Sequence, residues 1–177
     1  MKRTKSIILI SILSICILFS SCASSNAKKV IKQIDNIGVV DYKSDVILDK
    51  IEVDYQALSQ DEKGEVSNYH DYEIAKAKFK DSVVDYLQKE AKNEGLKVVR
   101  EKIKQSLKSP KSYNEYSCEA DSPIILENSD TCSMTIKIKY GATNSFGAEV
   151  TDTVSALVSF SVDIENKSIS ITNTLII

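Results

Sequence analysis

The chain has 177 residues, of which 42% are hydrophobic and 27% are charged, and its formal net charge is −2 at pH 7. Residues 1–21 hold three basic residues and no acidic one, so the remainder of the chain carries a formal charge of −5. This acidity argues against nucleic acid or an anionic lipid surface as the main partner, because both require concentrated lysine and arginine.

The N terminus has the pattern of an export signal. Lys2, Arg3 and Lys5 precede an apolar run over residues 7–19, which serine and cysteine alone interrupt. The run is too short to span a bilayer as a helix of ~20 residues, and its length is typical of the apolar region of a signal peptide. We therefore expect a targeting element and not a part of the fold.

The apolar run ends in the letters LFSSC at residues 18–22, which resemble a bacterial lipobox, with Phe19 where leucine is commonest. The resemblance implies a signal peptide over residues 1–21 and lipid on Cys22, which would hold the chain to the outer face of a bacterial membrane. The alternatives are an uncleaved N-terminal anchor and ordinary signal cleavage nearby. We expect residues 22–29 to form a short tether.

Residues 30–94 are predicted to form a helical module, because their apolar residues recur at helical spacing. A first helix is expected to end at Gly38, and a second to begin after the N-cap Ser44. Ser59 and Glu62 have capping-box spacing, and a long third helix is expected to end near residues 93–95. The apolar positions that define the second and third helices are Ile47, Ile51, Tyr55, Leu58, Ile74, Ala77, Val84, Leu87 and Ala91.

The order of residues over positions 30–75 resembles a small helical module that is repeated in bacterial surface proteins. The shared pattern is I-x-x-I-G, matched at residues 34–38, followed by Y-x-x-L-[ST]-x-x-x-K-x-x-V-x-N, matched at residues 55–68. Ile74 stands near the place where the pattern has leucine. The resemblance implies a compact three-helix unit that serves as a spacer or carrier without activity of its own.

Residues 95–177 are predicted to form an α+β module. A further amphipathic helix is expected over residues 96–107, ended by Pro110, and a short strand over residues 113–118. Turns are expected at residues 144–147 and 165–167. Alternating apolar residues then predict an antiparallel β-meander of three to four strands with one buried face, covered by the helix; those residues are Met134, Ile136, Ile138, Tyr140, Val154, Ala156, Val158, Phe160, Val162, Ile169, Ile171 and Leu175.

Two short motifs in this second module resemble a pair found in small secreted or envelope-attached bacterial domains of unestablished activity. They are L-K-x-P-x-S, matched at residues 107–112, and N-S-F-G, matched at residues 144–147. The resemblance supports the module boundary more than any function.

No residue pattern predicts catalysis, a metal site or a cofactor. His70 is the single histidine, and no C-x-x-C spacing and no glycine-rich phosphate or nucleophile motif is present. A glycosidase pair of carboxylates remains an alternative. The basic residues Lys97, Arg100, Lys102, Lys104, Lys108 and Lys111 are expected on a solvated helix face, and Tyr113 and Tyr116 are expected as half-buried strand residues, with exposed binding aromatics as the alternative.

Cys118 and Cys132 are predicted to form a disulfide. They are the cysteines that remain once Cys16 is removed with the signal peptide and Cys22 is lipidated. Export places them where disulfides persist. The alternative is two buried free thiols.

These features together predict a lipid-anchored lipoprotein on the extracytoplasmic face of a bacterial membrane, at the cell surface or in the periplasm. We expect an interaction or structural module of the envelope without catalytic activity, whose partners are the membrane and an unknown protein or envelope component, and not nucleic acid. The alternative is a small envelope-acting hydrolase or enzyme inhibitor. A deep cleft with two facing carboxylates would favour the enzyme, whereas a flat surface would favour binding.

Overall fold

The computed structural model describes residues 23–126 and 129–177, so the predicted signal peptide and the lipidation site at Cys22 lie outside the described residues. The chain is α+β, as predicted, and divides into two compact units, Met1–Phe79 and Lys80–Ile177. Its elements in order are α1 (Ser25–Asp35), α2 (Asp45–Gln56), α3 (Gln60–Gly64), α4 (Tyr69–Ser106), a 3₁₀ turn (Pro110–Ser112), β1 (Asn114–Ala120), β2 (Thr131–Thr143), β3 (Glu149–Asp163) and β4 (Ser168–Ile176).

Helix α1 begins inside the segment that was predicted to be a tether. Ser24 caps it, since the Ser24 hydroxyl accepts a hydrogen bond from the backbone N–H of Ala27 at 3.0 Å. The Ser24 N–H in turn donates to the Glu65 carboxylate at 2.7 Å, and Ala27 is fully buried. The tether prediction is therefore wrong from Ala23 onward, because a serine cap and a buried alanine fix this segment to the helical unit.

The core of the helical unit is formed by α1, α2 and the start of α4, together with one residue on either side of α3. The capping box at the start of α3 is confirmed: Glu62 N–H donates to the Ser59 hydroxyl, and Ser59 N–H donates to the Glu62 carboxylate. Ile47 was predicted to face this core, but it is 56% exposed, and Leu48 takes the buried position. The buried residues are Ala27, Val30, Ile34, Leu48, Ile51, Leu58, Val66, Tyr72 and Ala75.

Helix α4 is one continuous helix of 38 residues, so the predicted helix end at residues 93–95 and the separate helix over residues 96–107 are wrong. Gly95 is buried, and a Cβ there would lie 2.9 Å from Met134 Sδ and 3.2 Å from Phe160 Cζ. It thus lets the helix backbone approach the sheet and does not end the helix. The module boundary expected at residues 94–95 lies inside α4.

The four strands form an antiparallel meander in the order β1-β2-β3-β4. The predicted alternation is confirmed in β2 and β3, whose buried side chains include Ile136, Ile138, Val158 and Phe160. They share the sheet's inner side with the buried positions of α4, which recur every four residues at Val83, Leu87, Ala91, Gly95, Val99 and Ile103. A helix therefore covers one face of the sheet.

Strand β4 departs from the predicted alternation. The register shifts by one residue at Thr172, so Ile171 pairs with Phe160 whereas Leu175 pairs with Leu157. This β-bulge reverses the faces for the rest of the strand. Leu175 was predicted to be buried, but it is 54% exposed on the opposite side.

Within residues 23–126 and 129–177, no helix combines the length and the apolar character that a membrane span requires.

Candidate functional site

The sheet of the second unit has one uncovered side, which we call the outer sheet face. Small hydroxyl side chains dominate it, and Leu157 and Leu175 lie opposite each other among them. Ile177, 75% exposed, extends this aliphatic pair along the edge, where its N–H donates to the Ser155 carbonyl at 2.8 Å. The hydroxyl residues include Ser117, Thr131, Ser133, Thr135, Thr151, Thr153, Ser155, Ser159 and Ser161.

A shallow groove of about 680 Å³ crosses this face beside the segment that links β1 to β2. Ile124 and Leu157 supply its apolar wall, and Thr135 and Ser159 supply hydroxyls. Asp121 is the one carboxylate that lines it. The arrangement offers a mixed apolar and hydroxyl surface without a pair of facing carboxylates.

A tyrosine marks one end of the outer sheet face. Tyr116 lies at a β-bulge in β1, is 46% exposed, and donates a short hydrogen bond from its hydroxyl to Glu149. This hydrogen bond raises the pKa of Tyr116. Gly141 makes room for the ring, since a Cβ there would overlap the Tyr116 hydroxyl. The exposed alternative was therefore the better description of Tyr116.

Arg100, Glu115 and Tyr113 form a half-buried polar cluster between α4 and β1. The Arg100 guanidinium donates two hydrogen bonds to the Glu115 carboxylate, at 2.8 and 2.7 Å, and the Tyr113 hydroxyl donates a third at 2.7 Å. The Arg100 hydrogen bonds hold the pKa of Glu115 below its usual range, while burial raises the pKa of Tyr113. The charges of Arg100 and Glu115 compensate each other within the cluster, which fits a structural role for this bidentate pair.

Other lysines of the predicted basic face are also engaged locally. Lys97 pairs with Glu94 and Lys104 with Glu101, each at 3.4 Å one helical turn away. Lys102 donates to the carbonyl of Thr174 on β4 at 3.4 Å. The solvated-face interpretation of this helix segment is the one that these contacts support.

The structure does not bring the two cysteines together. Cys118 on β1 pairs with Ile138, whereas Cys132 on β2 pairs with Phe160 on β3, and both thiols are free. Cys118 therefore lies opposite a position six residues along β2 from Cys132, far beyond the 4.4–6.8 Å that separates disulfide Cα atoms. The predicted disulfide is wrong because β1 continues past Cys118 and pairs with the middle of β2. Burial raises the pKa of both thiols.

His70 has an exposed side chain at the start of α4, and Glu73 lies 3.5 Å from its ring nitrogen. Over the described ranges, no three histidine, cysteine or carboxylate side chains are grouped so that they could hold a metal ion.

A second surface, which the sequence analysis missed, lies between the first two helices and is called here the α1–α2 groove. Its volume is about 540 Å³, and both aliphatic side chains and lysines line it. Val46 and Ile47 are 75% and 56% exposed there. The available signal was an apolar pair beside the core stripe of α2, since Leu48 and Ile51 already fill that stripe. The groove is lined by Lys29, Lys32, Gln33, Asn36, Val46, Ile47, Lys50 and Ile51.

Comparison with known proteins found no match among protein-family models, curated proteins or solved structures. The two motif resemblances stay predictions, and a functional proposal has to rest on this chain's own residues.

Proposed function

We propose that this protein is an extracytoplasmic bacterial lipoprotein, anchored by lipid on Cys22, which acts as a binding or structural module of the envelope without catalytic activity. The helical unit adjoins the membrane in this proposal and serves as a compact three-helix spacer. The sheet unit presents the outer sheet face to a protein or envelope partner.

The observation that carries the proposal is a hydrogen-bonded helix cap only two residues after the lipobox-like sequence. The lipobox-like sequence places the cut before Cys22, and the described structure is already ordered by a hydrogen-bonded cap at Ser24. A cut there removes the apolar run over residues 7–19 and leaves α1 with its cap. Two or more acyl chains on one cysteine are the number that stable membrane anchoring requires.

A binding role is favoured over the hydrolase alternative by the outer sheet face. Hydrolysis of glycosides by paired carboxylates needs two carboxyl groups on either side of the scissile bond. Asp121 is the single carboxylate lining the groove on that face, and its neighbours are hydroxyl and aliphatic side chains. Such a surface suits contact with another molecule more than acid–base chemistry.

The anchoring proposal is tested by substituting Cys22→Ala in the full chain. The substituted precursor should stay uncut or leave the membrane fraction, because it lacks the thiol that accepts diacylglycerol. Cell fractionation and mass measurement of the N-terminal peptide give the result. Cys16→Ala is the matched control, since it changes a cysteine within the apolar run and should be cut, acylated and retained. A Cys22→Ala chain that is processed and retained like the unsubstituted protein would overturn the proposal.

A further inference from the structure

We propose that the α1–α2 groove binds the headgroups of anionic phospholipids in the membrane to which the chain is attached. This inference rests on the proposed function for the position of the membrane, and it assigns a ligand class to a surface of the helical unit.

The first argument is the short distance along the chain between the proposed anchor and the groove. Ser25 is three positions after Cys22, so their Cα atoms lie at most about 11 Å apart. Lys29 follows four residues later in α1, a rise of about 6 Å. The Cα atom of Lys29, the first residue of α1 that lines the groove, thus lies within about 17 Å of the Cα atom of Cys22, as the sum of these two spans.

The start of the helical unit is also held in place. Ala23 packs against the helical core, and the Ser24 N–H donates to Glu65 at 2.7 Å. These contacts leave no long flexible linker between Cys22 and α1. Membrane attachment at Cys22 would therefore hold the Lys29 end of the groove nearest to the headgroup layer, with Lys32 about 4.5 Å further along α1.

The second argument is charge complementarity with phosphate. Lys29, Lys32 and Lys50 line the groove, and no carboxylate is among its lining residues. Lys29 forms an ion pair with Asp54 at 3.0 Å, so its charge is partly compensated. Lys32 and Lys50 are exposed, and within the described ranges neither has its ammonium group within 4 Å of a carboxylate, although the charge of Lys50 helps to lower the pKa of Asp54. These two lysines are the strongest candidates for phosphate contacts.

The third argument is the aliphatic part of the lining. Val46 and Ile47 are exposed aliphatic side chains that line the same groove as the lysines, on a helix whose core positions are already filled. Lysines beside exposed aliphatic residues are the combination with which helices lie in the interface between headgroups and acyl chains. A phosphate beside its glyceryl and acyl carbons matches both parts of the groove.

The overall charge of −5 after residue 21 does not oppose this assignment. Electrostatic attraction to a charged lipid surface is screened over ~8 Å at physiological ionic strength, so the local lysines decide it more than distant carboxylates do. Anionic lipid is here a contact of one groove beside the anchor, and not the main partner of the whole molecule.

The test uses the full chain purified from the membrane fraction and reconstituted in two kinds of vesicle. One kind contains phosphatidylcholine alone, and the other contains phosphatidylcholine with roughly a third phosphatidylglycerol, a content chosen to give an anionic surface. Each carries a trace of the matching lipid with a photoactivatable group near the headgroup. Peptide mapping then shows which residues were cross-linked. We expect cross-links concentrated in residues 29–51 and several-fold more of them with phosphatidylglycerol.

The substitution Lys32→Gln with Lys50→Gln tests the charge and leaves the pair between Lys29 and Asp54 intact. One lysine close to an anionic surface changes the attraction by about fivefold, so the double variant should lose most of the preference for phosphatidylglycerol. The matched control is Lys137→Gln with Lys139→Gln on the outer sheet face, which should keep it.

Equal cross-linking of residues 29–51 in both vesicles, an unchanged pattern in the groove variant, or cross-links confined to other residues would each overturn the inference. The mass of the Cys22 peptide is read in the same digest. An unmodified Cys22 with cross-links in the groove would reject the proposed lipid anchor and support the groove. An acylated Cys22 without cross-links in the groove would support the proposed lipid anchor and reject the binding of lipid headgroups by the groove.

Discussion

Glu52 is a half-buried carboxylate that three side chains of the helical unit stabilise. It accepts hydrogen bonds from the Gln56 amide at 2.8 Å, the Tyr72 hydroxyl at 2.7 Å and the Lys76 ammonium at 3.0 Å. These hydrogen bonds lower the pKa of Glu52 from 4.5 to about 2. Tyr72 is 1% exposed, so protonation of Glu52 weakens a contact that reaches into the core.

This pKa shift predicts acid sensitivity of the helical unit. Because the folded-state pKa lies below the unfolded value of 4.5, the contribution of Glu52 to stability is fully present above about pH 4.5 and is lost as the pH falls toward 2. Glu52→Gln should lower stability near neutral pH and flatten its decline over that window. Hydrogen exchange of the α2 amides at several pH values measures both effects.

Asp49→Asn is the matched control for this experiment, because it changes an exposed carboxylate on the same helix. It should leave the acid decline in place. Identical pH dependence in Glu52→Gln and the unsubstituted protein would contradict the role given to Glu52.

At the scale of elements, α4 shows that glycine can have two different structural roles. Glycine is common both after a helix and where a backbone packs closely against another element. The sequence around Gly95 favoured the first role, because asparagine and glutamate precede it. The second holds because Met134 and Phe160 on the sheet occupy the space that a side chain would need. The surface against which the helix packs, here the sheet, decides between the two roles of glycine. A single sequence does not show that surface.

This close packing predicts the effect of side chains at Gly95. Gly95→Val should lower the free energy of unfolding of the second unit by about 1–3 kcal/mol, because the added isopropyl group overpacks the sheet side of α4. Gly95→Ala should cost less than Gly95→Val, because the flexible Met134 can move away from one added carbon and the helix propensity of alanine offsets part of its close contact with Phe160. Urea denaturation followed by tyrosine fluorescence compares the variants.

Gly64→Val in α3 is the control, because a Cβ there has nothing within 4 Å. It should change the urea midpoint little. A Gly95→Val protein as stable as the unsubstituted one would show that α4 and the sheet are not closely packed at this position.

The strands show which features the sequence can predict and which it cannot. Alternation alone located the buried residues of β2 and β3, because a residue's face follows from a period of two. It failed for Leu175, since one extra residue at Thr172 reverses the period. It also failed for the cysteines, whose separation depends on the register of β1 against β2. Register is set by contacts between distant residues, and the pattern within one strand does not contain it.

At the scale of the whole molecule, the sequence predicted two modules but not their boundary. The change from helical to alternating periodicity is real, yet α4 contributes residues to both units, which divide between Phe79 and Lys80. The candidate surfaces were also missed, since both consist of residues left over after the cores were filled. Such residues can be recognised as candidate binding surfaces once the burial of their neighbours is known.

A continuous α4 predicts the pattern of limited digestion by trypsin. Lys92 and Lys97 should resist cleavage, because they lie within a hydrogen-bonded helix that is buried at Ala91 and Gly95. The first cuts should follow Lys43 and Lys108, which are exposed in the connections after α1 and α4. Mass spectrometry of early digestion products identifies the sites. A stable fragment that begins at residue 93 or 98 would contradict the continuous helix.

The order of the strands has a consequence for how the protein is made. Each strand pairs with its neighbour in sequence, so no pairing waits for a segment more distant than the next strand. Low sequence separation of contacts favours fast folding, and a chain that emerges N terminus first can build this sheet strand by strand. One edge of β3 has unpaired backbone groups until Ser168–Ile176 is synthesised, because β4 is the strand that pairs with that edge. That interval, before β4 has been synthesised, leaves the β3 edge of the nascent sheet exposed to pairing with another chain.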